Sequence, residues 1–132
     1  MERPAKILLV DDDPDFVEAT RIVLESKPYQ VITASDGDEG LAKAKEEKPD
    51  LILLDIMMPR MDGFKVCEKL KQDPELSIIP VVMLTSFSEK VSETSLALSQ
   101  GLALEAEDFI DKPVAPAELL IRVEKQLKRG RS

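Results

Sequence analysis

Five short apolar segments constrain this chain more than anything else in it. They are Ile7-Leu8-Leu9-Val10, Tyr29 to Ala34, Leu51-Ile52-Leu53-Leu54, Val81-Val82-Met83-Leu84 and Asp108-Phe109-Ile110, and their first residues stand 22, 22, 30 and 27 positions apart. Each has the length of a strand, and the first, third and fourth are continuously apolar, as strands covered on both faces are. The intervals leave room for one helix and two short connections. Asp13-Pro14 reads as an N-cap followed by the first helical residue, with Phe16, Ala19, Thr20, Val23 and Lys27 along one face. Asp36 and Glu39 read as a capping box for a helix bearing Leu41, Ala42 and Ala44 that ends before Pro49. Asp62 caps a helix with Phe64, Cys67 and Leu70, and Ser88 caps one with Val91, Thr94, Ser95 and Leu98 that stops at Gly101. Pro116, behind the poor cap Ala115, opens a last helix with Leu119, Leu120, Val123 and Leu127 on one face. This alternation predicts an α/β fold, a five-stranded parallel sheet in a doubly wound three-layer sandwich. One folded domain is expected over residues 5–128, with 129–132 a basic, disordered tail.

Composition narrows the chemistry. Asp and Glu outnumber Lys and Arg by 26 to 18, a formal net charge of −8, which argues against nucleic acid or an anionic membrane as partner. There is no His, so Ser-His-Asp and Cys-His catalysis and phosphohistidine chemistry on this segment are excluded. Cys67 is the only cysteine, which predicts a reducing compartment. The first apolar run, Ile7 to Val10, is too short for a signal peptide or a membrane span, so a cytoplasmic protein is expected.

Open α/β sheets bind ligands beyond the carboxyl ends of their strands. Asp11, Asp12 and Asp13 follow the first apolar run, Asp55 the third, Thr85 and Ser86 the fourth, and Lys112-Pro113 comes just after the fifth. If the first and third strands are neighbours, Asp11, Asp12 and Asp55 share a pocket. Two like charges about 4 Å apart repel by roughly 4 kcal/mol at an effective dielectric near 20, so three carboxylates call for protons or a cation. Hard oxygen donors suit Mg²⁺, which commonly shares its shell with a phosphate. Lys112 and the Thr85 hydroxyl suit the oxygens of a phosphoryl group, and an aspartate can be the nucleophile that receives it. Taken singly, these residues also have plain structural readings. Asp13 and Asp15 suit a helix start, Asp62-Gly63 a turn, Met57, Met58 and Met61 packing, and Cys67 a core position.

The stretches Leu9-Val10-Asp11-Asp12, Leu54-Asp55-Ile56-Met57-Met58-Pro59-Arg60-Met61-Asp62-Gly63, Leu84-Thr85-Ser86 and Asp111-Lys112-Pro113 together resemble the receiver domain of two-component response regulators, from about Lys6 to Lys128. The resemblance implies a flavodoxin-like strand order 2-1-3-4-5 and a phospho-accepting signalling domain rather than an enzyme in the ordinary sense. It implies that Asp55 receives a phosphoryl group from a sensor histidine kinase or phosphotransfer protein, and that Asp11, Asp12, Asp55 and the backbone carbonyl of Met57 hold Mg²⁺. Thr85 and Lys112 would bind the phosphoryl group. Thr85 and Phe109 would form a switch that remodels the face of the fourth helix, fifth strand and fifth helix for a downstream protein or effector. A phosphorylation-dependent homodimer is among the assemblies it allows, and Lys112-Pro113 is expected to be cis.

The interval from Thr85 to Lys112, 27 positions, is longer than is usual in that family, with the excess placed at Leu102-Ala103-Leu104-Glu105-Ala106. Met57 and Phe87, both large and apolar, flank the expected site and predict slow entry of hydrolytic water. Two other function classes compete. Val10-Asp11-Asp12-Asp13 also fits a haloacid-dehalogenase-type phosphatase with Asp11 as nucleophile and Asp13 as acid, and a binding module would keep the fold without phosphorylation.

Overall fold

The structure, a computed structural model, describes residues 4–58, 61–85 and 106–131. The elements run β1 (Lys6–Val10), α1 (Pro14–Glu25), β2 (Gln30–Ala34), α2 (Gly37–Glu47), β3 (Leu51–Asp55), α3 (Gly63–Gln72), β4 (Val81–Thr85), β5 (Asp108–Asp111) and α4 (Pro116–Arg131). The five strands form one parallel sheet in the order β2-β1-β3-β4-β5, as expected. α4 is the last of the anticipated helices; the one expected from Ser88 to Gly101, and Phe87 with it, lies outside the described residues.

The apolar runs divide by parity. Leu8, Val10, Ile52, Leu54, Val81 and Met83 face one way, into a core closed by Ala44 of α2 and Phe64, Val66, Cys67 and Leu70 of α3. Ile7, Leu9, Leu51, Leu53, Val82, Leu84 and Ile110 face the other way, onto Leu24 of α1 and Leu119, Val123 and Leu127 of α4. Successive strand residues point to opposite faces, so a continuously apolar run serves both layers. The edge strands β2 and β5 are only partly buried, which is why their sequences mix polar residues with apolar ones.

The helix starts follow the caps. The Asp13 carboxylate accepts from the backbone N–H of Asp15 and Phe16, that of Asp36 from Glu39 and that of Asp62 from Lys65. The expected box at Asp36 closes differently: the Glu39 carboxylate turns back to the N–H and hydroxyl of Ser35, one residue earlier. The buried face of α1 is also rotated from the expected one. Ala19 is exposed and Leu24 fully buried, because α1 packs on the sheet and on α4 together. α4 runs from Pro116 to Arg131, with Val123, Gln126 and Leu127 buried along it. Of the Leu102–Ala106 stretch only Ala106 is described, partly buried against the α2/α3-side core. Among the described residues no helix is long and apolar enough to cross a membrane.

Candidate functional site

Each of β3, β4 and β5 reaches one residue beyond its apolar run, so that Asp55, Thr85 and Asp111 are their last residues. Pairing of Val10 with Leu54, Asp55 with Leu84 and Thr85 with Asp111 brings these strand ends to one level. Asp11 continues β1 and is held there by its own N–H, which donates to the Ala34 carbonyl at 3.1 Å. The Lys112 N–H donates to the Thr85 carbonyl at 2.7 Å, which extends the β4–β5 pairing one residue past the strand and sets Lys112 at the same sheet end. Its bond to Pro113 is cis.

Four of the expected residues therefore meet at the end of the sheet. Lys112 Nζ lies 2.7 Å from Asp11 Oδ2 and 3.2 Å from Asp55 Oδ1. Asp11 and Asp55 are nearly inaccessible, at 1% and 3% exposure, whereas Asp12 is open to solvent. One carboxylate oxygen from each of Asp11, Asp12 and Asp55 lies within 4.8 Å of the others. Thr85 is buried, and its Oγ1 has no hydrogen-bond partner, the only such buried side-chain atom among the described residues. Burial commonly forces a hydroxyl to find a partner, so this one stands out at the sheet end that also carries the carboxylates. Met57 is partly buried against the α2/α3-side core. Phe109 pairs with Met83 and packs against the same core, so by strand alternation it shares a sheet face with Thr85.

Electrostatics reflect this crowding. Burial, and then the charge of Asp11, push the Asp55 carboxyl up to about 6, against the pull of Lys112. Burial works against the Lys112 ammonium, but its hydrogen bond to Asp11 and the charges of Asp55 and Asp11 outweigh that and hold it above the ordinary lysine value. Folded protein therefore binds more protons at Asp55 than unfolded protein does between about pH 4 and pH 6. The stability tied to this group is full below that window and is lost as pH rises through it, by about 3 kcal/mol. Denaturant titrations of metal-free wild type and Asp55→Asn across pH 4 to 7 should show the wild type losing stability relative to the variant by that order. Parallel curves would refute the shift.

Three carboxylates facing one ammonium leave an uncompensated negative charge, and the donors are hard oxygens. That set fits a small divalent cation such as Mg²⁺. Asp13 does not join it. Its carboxylate is spent on capping α1, and its N–H donates to Asp11 Oδ1 at 2.9 Å, so it orients Asp11 rather than acting as an acid.

Two features were not anticipated. Phe16, read from the sequence only as part of a helix face, lies with its ring centroid 4.2 Å from Lys112 Nζ. Arg122 of α4 grips Asp108 through Nε at 2.7 Å and a terminal nitrogen at 2.6 Å, and also donates to the Phe109 carbonyl. That contact holds the Asp108 carboxyl below its ordinary range and fastens the backbone of β5 at Phe109 to α4. Neither pair has a spacing signal in the sequence, because each joins different elements.

The chain is similar to known proteins over most of its length. A family model described as the response regulator receiver domain matches residues 7–124. The alkaline phosphatase synthesis transcriptional regulatory protein PhoP of Bacillus subtilis is 44% identical over 125 residues, covering 95% of this chain and 49% of PhoP. The chain spans about half the length of PhoP and of RpaA, a DNA-binding dual master transcriptional regulator of Synechocystis that is 40% identical over 94% of this chain. Among solved structures, the signal receiver domain of a signal transduction histidine kinase from Syntrophus aciditrophicus superposes with a TM-score of 0.85 at 34% identity, covering 96% of this chain and 92% of that one. These similarities do not favour the phosphatase or the phosphorylation-independent alternative.

Proposed function

The chain belongs to the response regulator receiver domain family of two-component signalling, and from this we propose that it accepts a phosphoryl group on Asp55 from a phosphohistidine of a sensor histidine kinase or phosphotransfer protein. The single observation that carries this reading is the buried Asp55 carboxylate, bridged to Asp11 through Lys112, at the sheet end where Thr85, with its unsatisfied hydroxyl, is the last residue of β4. An Asp55 oxygen attacks phosphorus and forms a P–O bond. The P–N bond breaks, and its electron pair leaves with the imidazole nitrogen, which takes up a proton.

Asp11, Asp12 and Asp55, with the Met57 backbone carbonyl, would hold Mg²⁺. The ion would supply positive charge to the carboxylates and to the phosphoryl oxygens. Lys112 adds a second positive charge and is already within hydrogen-bonding reach of Asp11 and Asp55. The Thr85 hydroxyl donates to a phosphoryl oxygen and so gains the partner it lacks. Its inward movement frees space on the sheet face it shares with Phe109. Because Phe109 has no hydroxyl, the ring can respond only through packing. Displacement there changes the surface along β5 and α4 that a downstream protein or effector would read.

Incubation with acetyl phosphate and Mg²⁺, acyl-phosphate trapping and peptide mass spectrometry test the assignment. The label is expected on Asp55, with amide shifts at Thr85 and Phe109; label on Asp11, or no label, would overturn it. The apolar Met57 side chain two residues from the acceptor restricts water, so Met57→Asn should shorten the acyl-phosphate lifetime several-fold. Phosphate release no faster than from wild type would count against that role.

A further inference from the structure

We propose that Phe16 is a positioning residue for Lys112, holding its ammonium group between Asp11 and Asp55 so that it meets the incoming phosphoryl group already placed. This rests on the phospho-acceptor reading of Asp55. An ammonium group has three N–H bonds and no acceptor. Two of the directions around Lys112 Nζ lead to Asp11 Oδ2 at 2.7 Å and Asp55 Oδ1 at 3.2 Å. On another side lies the Phe16 ring, 4.2 Å away at its centroid, well within the distance at which a cation is drawn to a π face. The ring stands where water would otherwise solvate the ammonium, and the Lys112 side chain is only 15% exposed.

The Phe16 backbone is linked, through Asp13, to the same carboxylate that holds the lysine. Asp11 Oδ1 accepts from the Asp13 N–H at 2.9 Å, and Asp13 Oδ1 accepts from the Phe16 N–H at 3.3 Å. The Phe16 side chain also packs on the core between α1 and α4. A closed circuit therefore runs Asp11, Asp13, Phe16, Lys112 and back to Asp11. Attraction to a ring face is less directional than a hydrogen bond. It lets the ammonium slide from the carboxylates toward new phosphoryl oxygens without becoming fully hydrated.

The test compares wild type, Phe16→Leu and Phe16→Tyr. Leu keeps the apolar bulk against the core and removes the π face; Tyr keeps both. Acyl-phosphate formation from acetyl phosphate with Mg²⁺ should slow by roughly three- to tenfold in Phe16→Leu and recover in Phe16→Tyr. In metal-free protein labelled with ¹⁵N-lysine, the Lys112 ammonium proton resonance should lie upfield of the other lysines in wild type and Phe16→Tyr, and lose that displacement in Phe16→Leu. A folded Phe16→Leu that reacts at the wild-type rate, or an ammonium resonance that does not move, overturns the proposal. The resonance is read without phosphorylation, so it judges the contact separately. A wild type that takes no label removes the acceptor reading and this proposal together.

Discussion

Asp55→Asn is expected to abolish phosphoryl incorporation, cutting the rate by at least roughly a thousandfold, because an amide is a poor nucleophile and no neighbour can substitute. Asp11 is engaged at both oxygens, by the Asp13 N–H and by Lys112. Asp12 is exposed to solvent. Asp55 combines burial, contact with Lys112 and a carboxyl raised to about 6, so that it is ionised yet poorly solvated near neutral pH. The variant should fold at least as well as wild type in the absence of metal, since it removes one of three crowded carboxylates. Intact-mass measurement after incubation with acetyl phosphate and Mg²⁺ reads the result directly. A variant that still gains a phosphoryl group would place the acceptor elsewhere.

Gly63→Ala is expected to be the most damaging single methyl group that can be added near the site. Exposed Gly→Ala changes in helices commonly stabilise, by up to about 1 kcal/mol. Here the sign is reversed by what surrounds the residue. Gly63 opens α3, is buried, and donates its N–H to the Ile56 carbonyl at 2.8 Å. An added Cβ would collide with the Asp55 carbonyl oxygen and lie 2.8 Å from Ile56 Cα and 3.0 Å from the Asp55 carbonyl carbon. All three atoms are backbone, so no side chain can turn aside. Either α3 moves off β3 or the end of β3 shifts, and Asp55 moves with it. A loss of about 3 kcal/mol in urea unfolding is expected, with slower phosphorylation in whatever remains folded. An unchanged urea midpoint would show that this close approach is not real.

Most of the fold was legible because its signals are local. Val10 to Asp11 and Leu54 to Asp55 each place an acid where an apolar run stops, and parallel strands bring such stops to one edge of the sheet. Asp13, Asp36 and Asp62 mark helix starts because a side-chain oxygen meets backbone donors only two or three residues away. The shift in the buried face of α1 was less legible. Ala19 and Leu24 both suit a helix, and the choice between them depends on where α4 packs.

On its own, then, the sequence determined the alternation of strands and helices, the caps, the absence of His chemistry and the set of groups at the strand ends. These follow from interactions within a few residues, from composition or from strand parity. Only the tertiary structure decided which groups touch. It set the 2.7 Å contact between Lys112 and Asp11, which are 101 residues apart. It left Thr85 Oγ1 unsatisfied, laid Phe16 over the ammonium and brought α3 so near β3 that Gly63 has room for nothing larger. The physical reason is range. Caps and periodicity are decided along the chain, whereas desolvation, charge pairing and steric exclusion depend on which elements the closed sheet and its packed helices bring within a few ångströms of one another.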